Sequence, residues 1–177
     1  EESFKDLKDG EQSFDFWHLY GYRNLILKMK EVIRTTQKTL VMSLWKREVN
    51  LLEKELKKAE KRGVDVTLFS FTKFDFKIGK QISYNLNEDR LRKIWTPNII
   101  LVSDQLSTIM GSSKKESNSR SIFTKNEAII EIAINHIVLD ITLAGQRLNF
   151  DSNPIVKKIM KNADLQLNKL LKNKKTF

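Results

Sequence analysis

Imidazoles and thiols, the side chains that most often carry acid–base, nucleophilic and metal chemistry, are scarce in this chain. It holds two histidines, His18 and His136, and no cysteine. With no thiolate and so few imidazoles, a zinc centre lacks its usual ligands. His18 stands among aromatic residues and His136 among isoleucines, and neither has a lysine two positions on. A structural imidazole is the expected role for each. The six glycines are scattered and form neither GxGxxG nor GxxxxGKS, the loops that cradle phosphates. No serine occupies a GxSxG elbow, the turn that exposes a hydrolase nucleophile. These observations argue against an ordinary hydrolase or nucleotide enzyme, and no catalytic residue, metal or cofactor is expected.

One polar constellation remains, in PNIILVSDQLSTIMGSS at 97–113. Asp104 ends an apolar run, and Gly111-Ser112 follow seven and eight residues later. Two explanations stand side by side. Asp104 suits a hairpin turn, and Gly111 allows a close backbone approach. Alternatively, the polar residues line a pocket that holds a ligand. Ser43, Trp45, Ser70 and Thr72 lie near the ends of apolar runs, and parallel α/β sheets bind ligands at the carboxyl ends of their strands. Trp45 reads either as a core anchor or as a ligand platform. The candidate ligand-binding residues are therefore Ser43, Trp45, Asp104, Ser112 and Asn126.

The elements that must position them follow from periodicity. FDFWHLY (14–20) alternates and predicts a strand. Leu25, Met29, Val32 and Ile33 recur at helical spacing, predicting a helix over 22–37. TLVMSL (39–44) is a short buried strand. Trp45, Val49, Leu52, Leu56 and Ala59 step by four and three, giving a helix over 46–62 that Gly63 terminates. VDVTLFSF (64–71) is the next strand. This strand–helix rhythm predicts βαβ crossovers and a mixed, mostly parallel sheet flanked by helices. Residues 72–95 read as an irregular surface excursion. Residues 99–102 and 106–110 predict a hairpin, 111–120 a polar loop and 121–124 a further strand. Residues 127–150 predict a long helix apolar over most of its surface, a core element or part of a dimer interface. Asp151-Ser-Asn-Pro154 starts a last amphipathic helix, with Pro near its N-terminus.

Composition bounds the class. The chain has 177 residues, 40% apolar and 31% charged, as in ordinary globular domains. Reading along the chain reveals no unbroken apolar run of membrane-spanning length, and no signal peptide opens it. The net charge is +10, of which +6 falls in residues 155–177, leaving +4 on the rest. That tail reads as a solvated basic face, or as a contact for phosphates or an acidic partner. The first residue is Glu, and the polar leader EESFKDLKDGEQS is expected to join an upstream segment.

Several stretches now combine in order: GYRNLILKMKEVI (21–33), TLVMSLWKRE (39–48), LKKAEKRGVDVTLF (56–69), LVSDQLSTIMGSS (101–113) and Thr124-x-Asn126. Together they resemble the effector domain of TrmB-family transcriptional regulators, itself similar to one half of a phospholipase D. The resemblance covers about residues 15–150. It implies a phospholipase D-like α/β half, an N-terminal winged-helix DNA-binding domain upstream, a homodimer, cytoplasmic location and a small-molecule effector (a sugar or phosphorylated metabolite). The best-known members carry a further sugar-binding module, where this chain has a basic helix. In active phospholipase D relatives a His attacks phosphorus, a Lys neutralises the phosphate oxygens, and an Asp orients a His. The resemblance places Pro97 and Ile99 at the His and Lys positions.

The expected organisation is a linker end at 1–14, a phospholipase D-like effector and dimerisation domain at 15–151, and a basic C-terminal helix at 152–177. The expected function is a non-catalytic effector sensor of a transcriptional regulator that acts on DNA and does not engage a membrane. The alternatives are a phospholipase D-type phosphodiesterase or nuclease, and a basic nucleic-acid-binding module.

Overall fold

A computed structural model describes residues 16–116 and 118–160. The elements are β1 (Phe16–Tyr20), α1 (Tyr22–Thr35), β2 (Thr39–Ser43), α2 (Lys46–Lys61), β3 (Asp65–Thr72), β4 (Lys80–Leu86), α3 (Glu88–Arg92), β5 (Asn98–Ser103), β6 (Ser107–Ser112), β7 (Arg120–Thr124), α4 (Glu127–Leu148) and α5 (Asn153–Met160). The strands form one mixed sheet in the order β1-β7-β6-β5-β2-β3-β4. The balance of directions differs from the expected parallel majority. Only β2–β3 and β3–β4 are parallel; β1–β7, β7–β6, β6–β5 and β5–β2 are antiparallel.

The β2–α2–β3 crossover is the βαβ unit the rhythm implied. The first crossover is different, because β1 lies at the far sheet edge beside β7. The region expected to be irregular holds β4 and α3. Ile82, Tyr84 and Leu86 alternate with Ser83 and Asn85, a strand signal the sequence reading passed over, and the strand pairs on one side only, as an edge.

Alternation along the strands feeds two cores. Leu40 and Met42 of β2, Val66 and Leu68 of β3, and Ile99 and Leu101 of β5 pack under α1 and α2. Val41, Phe69, Ile100 and Val102 face the other way, onto α4 and α5. Each fully buried aliphatic side chain contributes about 1.5–3 kcal/mol relative to exposure, so both faces must be covered. α2 ends as its glycine predicts: Gly63 takes φ 88°, and the N–H groups of Gly63 and Val64 donate to Glu60 and Ala59 carbonyls, a Schellman closure.

α4 departs from the expectation of burial on several sides. Ile130, Ala133, Ile134, Ile137, Ile141 and Ala144 are buried, whereas Ile132, Leu139, Leu143 and Leu148 are exposed. With a mean hydropathy of 1.6, this helix is also long and apolar enough to cross a membrane by length and composition alone. The sequence reading missed this because polar residues interrupt its apolar runs. Here its buried face packs on the sheet. The final helix is described as α5 to Met160, and the rest of the expected 152–177 helix lies outside the described residues, as does 1–14.

Candidate functional site

The hairpin of β5 and β6 carries Asp104 and the Gly111-Ser112 pair at opposite ends. Asp104 and Gln105 take φ of 54° and 58° in the turn, and the Leu106 N–H donates to the Ser103 carbonyl at 2.9 Å, so the pair occupies the two left-handed central positions of a primed turn. The Asp104 carboxylate accepts from the backbone N–H of Gln37 at 2.9 Å, Lys38 at 2.7 Å and Thr39 at 2.9 Å. Its own N–H donates to the Thr39 carbonyl at 2.8 Å. Partial burial pushes its pKa up, but the three backbone donors outweigh that and hold Asp104 below the usual carboxylate range. Asp104 clamps the α1–β2 connection to the hairpin.

Gly111 lies where β6 meets β7. It has φ 140°, and a Cβ there would stand 2.7 Å from Ser121 Cα and 2.8 Å from the Arg120 carbonyl oxygen. Ser112 accepts a Lys114 N–H at its hydroxyl and a Ser121 hydroxyl at its carbonyl. Asn126 caps α4, accepting the Ile129 N–H at 3.2 Å.

Register separates these residues. Ser43 pairs with Ile100, near the start of β5, while Leu40 pairs with Ser103, beside Asp104. Ser112 pairs with Asn98, and Thr124, two residues before Asn126, pairs with Thr108. Ser43, Trp45 and Ser112 therefore lie towards one end of the sheet, and Asp104 and Asn126 towards the other. The five candidates do not line one cavity.

Two of them do share one. Ser43 and Trp45 border a cavity of about 150 Å³ with Phe71, Trp95, His136 and Asp140. It sits at the carboxyl ends of β2 and β3, where α/β sheets place ligands. Trp45 is 3% exposed and Trp95 55%. Oδ2 of Asp140 is buried without a hydrogen-bond partner among the described residues, and Nε2 of His136 stands 3.7 Å away. Burial pushes the Asp140 carboxyl up, and His136 opposes this only in part. No hydrogen bond joins Ser43 to His136 among the described residues, so this serine and imidazole are not assembled as a nucleophile and base. A longer groove of about 660 Å³ adjoins the start of α2, bordered by Lys46, Arg47, Lys73 and Arg92 together with Glu88 and Asp89.

Beside the start of β5 lies a buried network that sequence reading did not single out. Glu48 is fully buried. Its Oε1 accepts from Tyr22 Oη at 2.8 Å, and from Arg47 Nε at 2.9 Å and Nη2 at 2.8 Å. The Arg47 guanidinium lies 4.3 Å from the centroid of the Tyr22 ring and donates to the Ser113 carbonyl. Ser113 in turn donates its N–H to the Pro97 carbonyl at 2.9 Å. Burial first, then the Glu48 carboxylate, pushes the Tyr22 phenol well up. Burial would lower Arg47, but Glu48 more than offsets it. The mixed charges of α2 hid this pair, because its sequence looks like solvated decoration. The only hint was a Glu on the apolar stripe, one step before Val49.

Ile99 is 1% exposed and packs in the core beneath α1 and α2. Among the described residues, no cluster of three or more His, Cys, Asp or Glu could hold a metal ion.

Residues 15–137 match the family described as transcriptional regulator TrmB, EBD N-terminal subdomain. The chain belongs to the TrmB family. A curated relative, the uncharacterized protein YrhO of Bacillus subtilis (strain 168), is 19% identical over 129 residues, and the match covers 73% of this chain and 47% of YrhO. The TrmB-family chain thus spans about half the length of that relative. Among solved structures it is similar to TrmBL2, an archaeal chromatin protein with a novel mode of DNA binding, at TM-score 0.51 and 15% identity over 73% of this chain and 53% of TrmBL2. That similarity concerns the fold. NucT from Helicobacter pylori aligns at TM-score 0.48 and 12% identity, covering 69% of this chain and 93% of NucT. Nuc from Salmonella typhimurium, a phospholipase D family member, aligns at 0.45 and 14%, covering 69% of this chain and 90% of Nuc.

Proposed function

We propose that this TrmB-family chain is a non-catalytic, effector-sensing and dimerisation domain of a cytoplasmic transcriptional regulator. The observation that carries the non-catalytic reading is Ile99. It stands where the phospholipase D resemblance places the phosphate-clamping Lys, and it is a core aliphatic residue, 1% exposed. Pro97, at the nucleophile position, offers only a carbonyl, which Ser113 occupies. Without a nucleophile and a charge clamp, covalent phosphoryl transfer loses its two main contributions.

The effector reading draws on the cavity that Ser43 and Trp45 share with Asp140. Dimerisation draws on the exposed face of α4, where Ile132, Leu139 and Leu143 are apolar and solvent-facing. In this reading a ligand prefers one dimer geometry and so alters the placement of upstream DNA-reading domains. The effect requires differential affinity for the two geometries; tight binding alone shifts nothing.

The test combines light scattering with a thermal-shift screen of sugars and small metabolites. A dimer at micromolar concentration and a ligand that raises the apparent stability support the reading. A strict monomer that no small molecule stabilises sinks it. Hydrolysis of a generic phosphodiester that persists when His18 and His136 are both replaced would overturn the non-catalytic half.

A further inference from the structure

The cavity between Trp45 and Asp140 has a charge character opposite to that of the chain. The protein carries a net +10, yet among the described residues no Lys or Arg borders this cavity. Its walls set one carboxylate, Asp140, beside three aromatic rings, Trp45, Phe71 and Trp95, the His136 imidazole and neutral side chains. Aromatic faces carry partial negative charge, so rings and carboxylate reinforce each other.

The walls are braced rather than loose. Phe71 and Trp95 have centroids 5.4 Å apart and tilt by 32°. Phe71 stacks on Tyr84 at 5.7 Å and meets the edge of the fully buried Phe69 at 4.9 Å. The Arg147 guanidinium lies over the Tyr84 ring, 5.9 Å from its centroid, one ring removed from the cavity wall. Trp45 is held by burial, and the exposed Trp95 marks the side open to solvent.

Inside, Asp140 is unfinished. Its Oδ2 is buried without a hydrogen-bond donor among the described residues. His136 Nε2, at 3.7 Å, is beyond hydrogen-bond reach, and its side chain is 62% exposed. A carboxylate withdrawn from water without a donor is costly. A neutral polyol could stack on the rings and donate a hydroxyl to Oδ2, but it would leave the carboxylate's charge unneutralised. A cation satisfies both parts of the wall at once, by charge against Asp140 and by its position over the aromatic faces.

We propose that this cavity binds the head group of an organic cation, an alkylammonium or quaternary ammonium. The assignment rests on the effector-sensing reading above and gives the effector a charge opposite to that of a phosphorylated metabolite. The volume of about 150 Å³ admits a compact head group and leaves any longer substituent to pass Trp95 into solvent.

The test is a tryptophan-fluorescence and calorimetric titration of the 177-residue chain with methylammonium and tetramethylammonium chloride. Sodium chloride at equal ionic strength, tert-butanol as the neutral isostere, and glucose serve as comparisons. The expected result is saturable ammonium binding, absent with sodium and tert-butanol. That binding should weaken about tenfold or more in Asp140→Asn, which removes the charge and keeps the shape. It should also weaken in Trp95→Ala, whose exposed ring can be removed without opening the core, and remain intact in Trp17→Ala. No saturable ammonium binding, or binding unchanged in Asp140→Asn, overturns the proposal. Equal binding of tert-butanol overturns it too, since the cavity would then be merely apolar. If glucose alone binds and Trp95→Ala abolishes that, the cationic assignment falls while the effector reading stands.

Discussion

Arg47 places its guanidinium 2.8 Å from Oε1 of Glu48, its neighbour in sequence, and both side chains are withdrawn from water: 13% and 0% exposed. Adjacent residues on a helix do not ordinarily face each other. Here the pair forms at the first turn of α2, where Arg47 folds back over Tyr22 and reaches the Ser113 carbonyl. The pair therefore ties α1, α2 and the end of β6 together.

Breaking this pair should be expensive. Glu48→Ala leaves a largely buried guanidinium and a phenol without their acceptor, and the expected loss is about 3–5 kcal/mol. The exposed Lys57–Glu53 pair on the same helix is the comparison; Glu53→Ala should cost roughly 0–1 kcal/mol. Urea denaturation of both variants measures the difference. Similar small losses would show that Glu48 is not the keystone of the network.

Tyr22 carries a pH signature. Burial, and then Glu48, raise its pKa above the unfolded value, which is about 10. A group raised in the folded state adds stability that is complete below the unfolded value and is lost as pH rises through the folded one. Stability should therefore decline on alkalinisation beyond about pH 10. Tyr22→Phe should flatten that decline, although it sacrifices the hydrogen bond to Glu48. Denaturation midpoints across the alkaline range decide this, and an unchanged slope in the variant counts against it.

Asp104 gives the opposite limb. Its carboxyl is held below the ordinary range by three backbone donors, so its contribution is present above the unfolded value of about 3.9 and is lost as pH falls through the folded one. Asp104→Ala should destabilise by roughly 2–3 kcal/mol, because three N–H groups lose a charged acceptor. Part of their desolvation is relieved by water at this partly exposed turn. The cost should shrink under acid conditions. A cost equal at acid and neutral pH would refute the charge-based account.

Gly111→Ala should destabilise by about 1–3 kcal/mol, since the new methyl meets the backbone of Ser121 and Arg120. Thermal melting of this variant reads the effect. A neutral result would mean that β7 yields by the needed few tenths of an ångström.

The exposed stripe of α4 tests the dimer. Ile132→Glu with Leu139→Glu alters solvent-facing positions, so the fold should survive with intact circular dichroism. Sedimentation should then show a lighter species than the parent chain. An unchanged mass would remove α4 from the interface.

Much of this protein was legible before any coordinates. The three-and-four spacing of Val49, Leu52, Leu56 and Ala59 determines α2, and Gly63 determines its end. The apolar runs determine β2, β3 and the β5–β6 hairpin, with Asp104 at its turn, because a short-range pattern reports which face of an element is buried. It does not report the partner. Only the tertiary structure sends β1 across to β7, makes an edge strand of 80–86, and leaves one side of α4 bare. The same reason separates the candidate residues. Ser43 and Asp104 are matched to opposite ends of β5 by sheet register, a long-range property. The cavity partners of Trp45 come from β2, β3, β5 and the segment before it, and α4, with Asp140 brought in from 95 residues away. Composition determined that the chain has two histidines and no cysteine; three-dimensional packing decided that a largely buried carboxylate and three aromatic rings share one small cavity.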